Sequence, residues 1–322
     1  MISVSIIIPA WNEAKTIKKT LQALLKIDYD MERCETIIVA GGDDGTYSLA
    51  NSLAPQGEAF SRYVILEQGP GGKNAAIQQG IREAGNPMIV LLDADTMVSP
   101  GWLKTMVHPI EQGDTHLTVA NPEPVRKTWV SDYYTINKLY FMDQIVTYSG
   151  HAMAFRAEVV RDHLDYFFDE SVKVGVDYLL AKKFLERGLG VTFAKDALVT
   201  THIPSTFRYF WLSELRWRAA LINIDGVSYT NLGRNVTVVA ALICGVPVFK
   251  KLSVVSLLFN LVYVIGKARM FFAMKREYHV GTKSLLGFIF LSYAYHLIGI
   301  ISYLRHFLGL SRNTYLYQGE RY

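Results

Sequence analysis

The chain predicts an α/β fold, a mostly parallel sheet with helices on both faces, followed by a hydrophobic helical region. Three observations carry this. Short runs of β-prone apolar residues alternate with helical patterns through roughly the first third of the sequence. Polar, glycine-bearing turns follow those runs, and open α/β sheets bind ligands beyond their strand C-termini. Past about Gly233 the composition becomes strongly apolar with basic interruptions, so residues 1–233 are expected to form the α/β domain and residues 234–322 a membrane-associated helical region.

The first strand is read in Ile6-Ile7-Ile8, ending in Pro9-Ala10-Trp11-Asn12-Glu13. Asn12 is placed to cap a helix over residues 13–25, whose Ile17, Leu21, Leu24 and Leu25 recur at helical spacing. A second strand, Thr36-Ile37-Ile38-Val39, runs into Ala40-Gly41-Gly42-Asp43-Asp44-Gly45-Thr46 and a new helix. Strand, glycine-rich turn and helix start form a common place for phosphates or bases, although this pattern is neither a P-loop nor the dinucleotide fingerprint. A third strand at Tyr63-Val64-Ile65-Leu66 leads through Gly69-Pro70-Gly71-Gly72-Lys73 to a helix over residues 75–83. Lys73 suits a diphosphate contact or a solvated loop end.

Ile89-Val90-Leu91-Leu92 then ends in Asp93-Ala94-Asp95. Burying an unpaired carboxylate is costly, so the pair belongs at an exposed strand end. Read alone it fits a polar cap or a hard divalent cation, which takes oxygen ligands. A helix over residues 102–107 follows, then an extended segment over 115–127, since Pro122 and Pro124 exclude a regular helix. An aromatic helix is expected over 133–148, a strand in Ala152-Met153-Ala154-Phe155, and a helix over 178–187 entered through Asp177. Strand-like stretches follow at 191–194 and 197–204.

Composition narrows the function classes. A formal charge of +4 over 322 residues, with no dense basic stripe in the first two thirds, excludes a nucleic-acid binder. Two cysteines, Cys34 and Cys244, cannot build a disulfide framework or a Cys-based metal site. The start, Met1 to Pro9, lacks a secretory signal pattern, so the α/β domain is expected in the cytoplasm, at the cell membrane.

In order and spacing, Pro9-Ala10-Trp11-Asn12-Glu13, Asp44-Gly45-Thr46, Gly72-Lys73 with Ala75 and Gly80, and Leu92-Asp93-Ala94-Asp95 resemble the family 2 glycosyltransferases of GT-A fold. The later motifs resemble the membrane-bound, cellulose and hyaluronan synthase-like members that serve polysaccharide biosynthesis. The resemblance implies a metal-dependent, inverting transferase that moves a sugar from a nucleotide-diphosphate donor, UDP-linked by expectation, to a lipid-linked or saccharide acceptor. It implies that Pro9, Trp11, Glu13, Gly41, Asp43 and Asp44 hold the nucleoside, with Lys73 and Arg216 toward the diphosphate. Asp95 and Asp93, with His202, are implied as ligands of Mg²⁺ or Mn²⁺. Asp177 is implied as the general base, although a helix-start Asp is otherwise a plain cap.

Ser213-Glu214-Leu215-Arg216-Trp217 resembles the family's Gln-x-x-Arg-Trp motif, which puts Trp217 beside the acceptor end. Three departures stand out: Ala40 where the family has an Asp that commonly contacts the base, Val176 where a Glu precedes the Asp, and Ser213 in place of the Gln. A polyprenyl-phosphate sugar synthase and a non-catalytic nucleotide-sugar-binding scaffold remain the alternatives.

Of three apolar runs, 236–249, 252–266 and 284–304, the last alone has the roughly 20 residues of a membrane span. The first two, separated by Lys250-Lys251, read as a hairpin or as interfacial helices. Lys267, Arg269, Lys275, Arg276 and Lys283 against Glu277 place the intervening loop on the cytosolic side. Asn235-Val236-Thr237 is formally a glycosylation acceptor, silent on that side.

Overall fold

The computed structural model describes residues 1–54, 59–142, 150–244, 253–275 and 280–310. The chain forms two compact units, Met1–Val125 with Ile145–His202, and Arg126–Gln144 with Ile203–Tyr322.

The first unit is built on a mixed sheet. In chain order its strands are β1 (Val4–Trp11), β2 (Cys34–Gly41), β3 (Arg62–Glu67), β4 (Met88–Leu92), β5 (Met97–Val98), β6 (Leu117–Pro124), β7 (Ala152–Arg156) and β8 (Val191–Thr201), and they lie side by side as β3-β2-β1-β4-β7-β6-β8-β5. The half from β3 to β4 is parallel, with Ile7↔Ile37 and Ile7↔Leu91 in register. β7 then enters antiparallel to both β4 and β6, while β6 pairs parallel with β8. Every residue of β2 and β4 is buried, which is why these strands read as continuous apolar runs rather than alternating ones.

Helices cover this sheet. α1 (Ile17–Leu24) buries Ile17, Thr20, Leu21 and Leu24, one stripe at helical spacing. α2 (Thr46–Ser52) starts after Gly45, whose φ of 86° favours glycine. α3 (Lys73–Glu83) lies so close to β1 that a Cβ on Gly80 would stand 2.4 Å from Ile7 Cγ2. α4 (Trp102–Glu111) runs four residues beyond its expected end and contains Pro109.

Three expectations are corrected here. The first helix begins at Ile17, not at residue 13, and Asn12 is not its cap. Asn12 takes a left-handed φ of 56° and its Oδ1 accepts the Asp43 N–H at 2.9 Å, while residues 13–16 form a turn closed by Thr16 N–H to Glu13 O. The two stretches at 191–194 and 197–204 are one strand, β8, which runs past a register irregularity opposite Ala120 and Asn121 and ends at Thr201. The aromatic helix begins earlier than expected: α5 spans Trp129–Met142, and residues 143–149 lie outside the described part.

The second unit is helical. α5 belongs to it, with α7 (Phe207–Asp225), α8 (Tyr229–Cys244), α9 (Ser253–Met274) and α10 (Leu285–Phe307); α6 (Val176–Glu186) lies in the first unit. Thr206 caps α7 by accepting the Tyr209 N–H. Tyr133, Phe210, Phe271, Phe288 and Ile298 form its core, with Tyr133 edge-on to Phe210 at 5.4 Å. The expectation of a single long apolar helix is overturned, because Val254–Met274 as well as Thr282–Phe307 is long and apolar enough to cross a membrane. Lys267 and Arg269 do not start a loop; they continue α9, since Lys and Arg are good helix formers whose stems lie along apolar surface. The expected separator Lys250-Lys251 and residue Arg276 lie outside the described residues.

Candidate active site

The strand C-termini of the first unit carry the predicted residues. At the ends of β1 and β2, Trp11 pairs with Gly41, and a Cβ on Gly41 would come within 2.8 Å of the Trp11 ring. The ring is left 49 % exposed, a flat face beside a glycine loop. Asp44 clasps the two loops. Its Oδ2 accepts the Ala14 N–H at 3.0 Å, and its Oδ1 accepts the Thr46 N–H and hydroxyl at 3.0 and 2.5 Å. Partial burial opposes ionisation, but these bonds from Thr46 and Ala14 hold the carboxyl below its ordinary pKa. Thr46 Oγ1 also accepts the Glu13 N–H at 2.7 Å, and Glu13 Oε2 accepts from Thr16. Asp43 is exposed on the same loop, and Pro9 is half-buried within β1.

The loop before α3 brings Lys73 to β4. Gly71 and Gly72 take φ of 124° and 80°, which turns the chain so that Lys73 opens the helix. Its Nζ donates to Asp93 Oδ1 at 2.5 Å. Burial would lower the lysine pKa, yet it is raised by Asp93 first, and then by Asp177 and Asp95. Three carboxylates, two from the turn after β4 and one, Asp177, from the helix Val176–Glu186, therefore act on one ammonium. Desolvation likewise opposes ionisation of Asp93, but Lys73 and His151 hold it well below the usual carboxylate range. His151 Nδ1 lies 3.5 Å from Asp93 Oδ2, and the Asp93 N–H donates to the His151 carbonyl.

Asp95 leads into β5, which pairs antiparallel with β8 as Met97↔Thr200. The hydroxyls of Thr96 and Thr201 meet at 3.1 Å. Asp95 precedes this short ladder and His202 follows it. Both are half-buried.

Asp177 sits in the first turn of α6, after Gly175 in the left-handed region. Its Oδ2 accepts the Gly150 N–H at 2.7 Å, and a Cβ on Gly150 would stand 1.9 Å from the Asp177 Cβ. The segment leading to α6 is tied to α3: Asn74 donates to Asp169 O at 2.6 Å, Gln78 to Phe168 O at 2.8 Å, and Lys173 to Gly71 O at 2.7 Å.

Sequence reasoning missed Asn74, Gln78 and Lys173 as builders of this site, and the contact of His151 with Asp93. The signal for His151 was its place beside Gly150, but its partner on β4 is set by an antiparallel strand pairing that no local pattern reports. In the second unit, Ser213, Arg216 and Trp217 are half-buried along α7. The adjacent face carries Glu214 and Arg218, whose Nε and Oε2 are 3.9 Å apart. Among the described residues, no group of three or more His, Cys, Asp and Glu side chains is gathered in a metal-holding cluster.

Residues 5–164 match the model of the family described as glycosyl transferase family 2, and residues 88–307 match that of glycosyl transferase family group 2. The chain is 26 % identical over 202 residues to the glycosyltransferase AglE of Haloferax volcanii, covering 61 % of this chain and 65 % of that protein. It is 23 % identical over 227 residues to a poly-β-1,6-N-acetyl-D-glucosamine synthase of Staphylococcus aureus, covering 66 % and 53 %. It thus spans roughly half to two thirds of the length of these relatives. The mannosyltransferase PcManGT of Pyrobaculum calidifontis, solved in complex with GDP-Man and Mn²⁺, matches with a TM-score of 0.56 at 18 % identity over 99 % of this chain and 88 % of that one. That likeness establishes the fold.

Proposed function

Because the chain belongs to the family 2 glycosyltransferases, we propose that it transfers a sugar from a nucleotide-diphosphate donor to an acceptor hydroxyl, inverting the anomeric carbon. One observation carries the reading: Lys73, ion-paired with Asp93, lies in the field of Asp95 and Asp177 at the strand C-termini. A cation beside a diphosphate and a carboxylate beside a hydroxyl are what this reaction needs.

The nucleoside lies against Trp11 and the Gly41–Asp43 loop, with Asp44 shaping that loop through its bonds to Ala14 and Thr46. Asp93, Asp95 and His202 carry the carboxylate and imidazole donors that suit Mg²⁺ or Mn²⁺, although among the described residues they are not drawn into a three-ligand cluster. Asp93 is already engaged by Lys73 and His151, so Asp95, with His202, would hold the ion directly and Asp93 would stand beside it. A bound divalent ion would supply Lewis-acid stabilisation of the departing nucleoside diphosphate. Lys73 turns from Asp93 toward the developing phosphate charge. Asp177, with one oxygen held by the Gly150 N–H, takes the acceptor proton on the other as the hydroxyl attacks.

The acceptor is lipid-linked or a growing saccharide, and the protein works at a membrane. Support comes from α9, where Val254, Val255, Leu257, Leu258, Leu261 and Val262 are all exposed. A 22-residue helix is about 33 Å long, enough for a bilayer core. The donor nucleotide is UDP, with GDP the alternative that PcManGT raises.

Thermal unfolding against a panel of UDP- and GDP-sugars, with and without Mn²⁺, tests the reading. One donor should raise Tm in a metal-dependent way, since ligand at about 100 times its Kd adds about 2.7 kcal/mol. Asp95→Ala should abolish the metal dependence. A flat response across the whole panel would refute a donor site.

A further inference from the structure

The helical unit holds a concentration of positive charge that the transfer reaction does not use. α8 and α9 are antiparallel neighbours, with Asn260 Nδ2 donating to Ala241 O at 2.9 Å. The same offset puts Lys267 level with Arg234, and the charge acting on Lys267 is that of Arg234. Among the described residues neither has a carboxylate within ion-pair distance. Lys267 Nζ lies 5.9 Å above the Tyr263 ring, and like charges level on neighbouring helices repel, which an anion between them would relieve.

More donors stand behind this pair. His296 is buried, its ring nitrogens 2.8 Å from Asn235 Oδ1 and 3.1 Å from the Tyr263 hydroxyl, and Lys267, Arg234 and Arg218 all act on it. The Arg218 guanidinium stacks 3.9 Å above the Tyr295 ring and donates to Tyr295 O at 3.0 Å. A Cβ on Gly299 would lie 2.2 Å from Asn235 Nδ2 and 2.7 Å from Arg218 Nη1, so the glycine makes room for two donors side by side. Among the described residues, Asn235 Nδ2 and Arg218 Nε are buried without a hydrogen-bond acceptor. Glu214, 3.9 Å from Arg218 Nε, is the facing carboxylate among the described residues. Cations and orphaned donors outnumber acceptors, which is the complement of a phosphate.

We propose that Arg234 and Lys267, backed by Arg218 and Asn235, bind a phosphate group carried on a lipid. The lipid source follows from the exposed apolar side chains of the same α9, Leu258, Leu261, Val262 and Ile265, which need an apolar covering. The site lies within the helical unit and stands apart from the donor reading.

Titration of the detergent-solubilised full chain with dioctanoyl phosphatidic acid, dioctanoylglycerol and inorganic phosphate, followed by native mass spectrometry and thermal unfolding, tests this. Phosphatidic acid should bind and raise Tm, dioctanoylglycerol should not, and Arg234→Gln with Lys267→Gln should weaken phosphatidic acid by about tenfold or more. Equal binding by wild type and the double variant, or an equal response to dioctanoylglycerol, overturns the site. Inorganic phosphate binding as tightly as phosphatidic acid overturns the lipid assignment. Should the double variant not fold, Arg234→Gln alone carries the test, because Arg234 is exposed. Nucleotide-sugar stabilisation, read on the same variants, should stay as in wild type, so loss of one site is told from loss of the other.

Discussion

Gly150 can be nothing larger without moving Asp177, since the added Cβ would overlap that residue's own Cβ at 1.9 Å. Gly150→Ala should cost about 1–3 kcal/mol in urea unfolding and remove transfer activity, because the displaced carboxylate loses its N–H partner as well as its position. Asp44 sets a pH dependence. Its folded pKa is depressed by hydrogen bonds, so its contribution is present above the unfolded value of about 3.9 and lost as pH falls through the folded one. Asp44→Asn should therefore be less stable than wild type at neutral pH, with the gap narrowing in acid, as circular dichroism of acid unfolding can measure. At this scale the motifs named the candidate residues. Their engagements were not legible: Asn12 serves Asp43 rather than a helix, Asp44 is a clasp, and Asp93 pairs with Lys73 and His151, contacts that join residues 20 to 60 positions apart.

Among the elements, the β1–α3 contact depends on Gly80 lying against Ile7. Gly80→Ala should destabilise by about 1–3 kcal/mol, and Ile7→Ala in the same chain should cost less than the two separate losses predict, since the smaller side chain vacates the clash. Cys34 opens the fully buried β2, and burial, with Asp30 second, pushes its thiol up to about 12. In a Cys244→Ser background a thiol reagent should label nothing in the native state and react fully in denaturant. Because this pKa is raised, the neutral thiol's contribution is present below the unfolded value of about 8.5 and lost as pH rises toward 12. The parallel half of the sheet was legible because β1, β2 and β4 are buried and read as continuous apolar runs, and the partly exposed edge strand β3 still carries the run Tyr63-Val64-Ile65-Leu66. The insertion of β7 between β4 and β6 was not, since strand order is set by long-range pairing. α9 was underestimated because Lys267 and Arg269 were read as punctuation, whereas a helix carries them on their stems.

For the molecule as a whole, the helical unit carries large exposed apolar faces. Two helices with spans of 21 and 26 residues should keep the protein in the membrane pellet through alkaline carbonate washing. Replacing Leu258, Leu261 and Val262 by Ser should weaken that retention and leave the rest to the Thr282–Phe307 span. Composition alone suggests a boundary near Gly233, whereas the compact helical unit takes in Ile203–Tyr322 and, from far earlier in the chain, Arg126–Gln144. The central claim is that Asp177 performs the proton transfer of a glycosyltransferase. Its most direct test is the rate of sugar transfer by Asp177→Asn at saturating donor, with donor-induced Tm shift as the control for binding. The account predicts a loss of about a thousandfold or more with the Tm shift retained; turnover within about tenfold of wild type would contradict it.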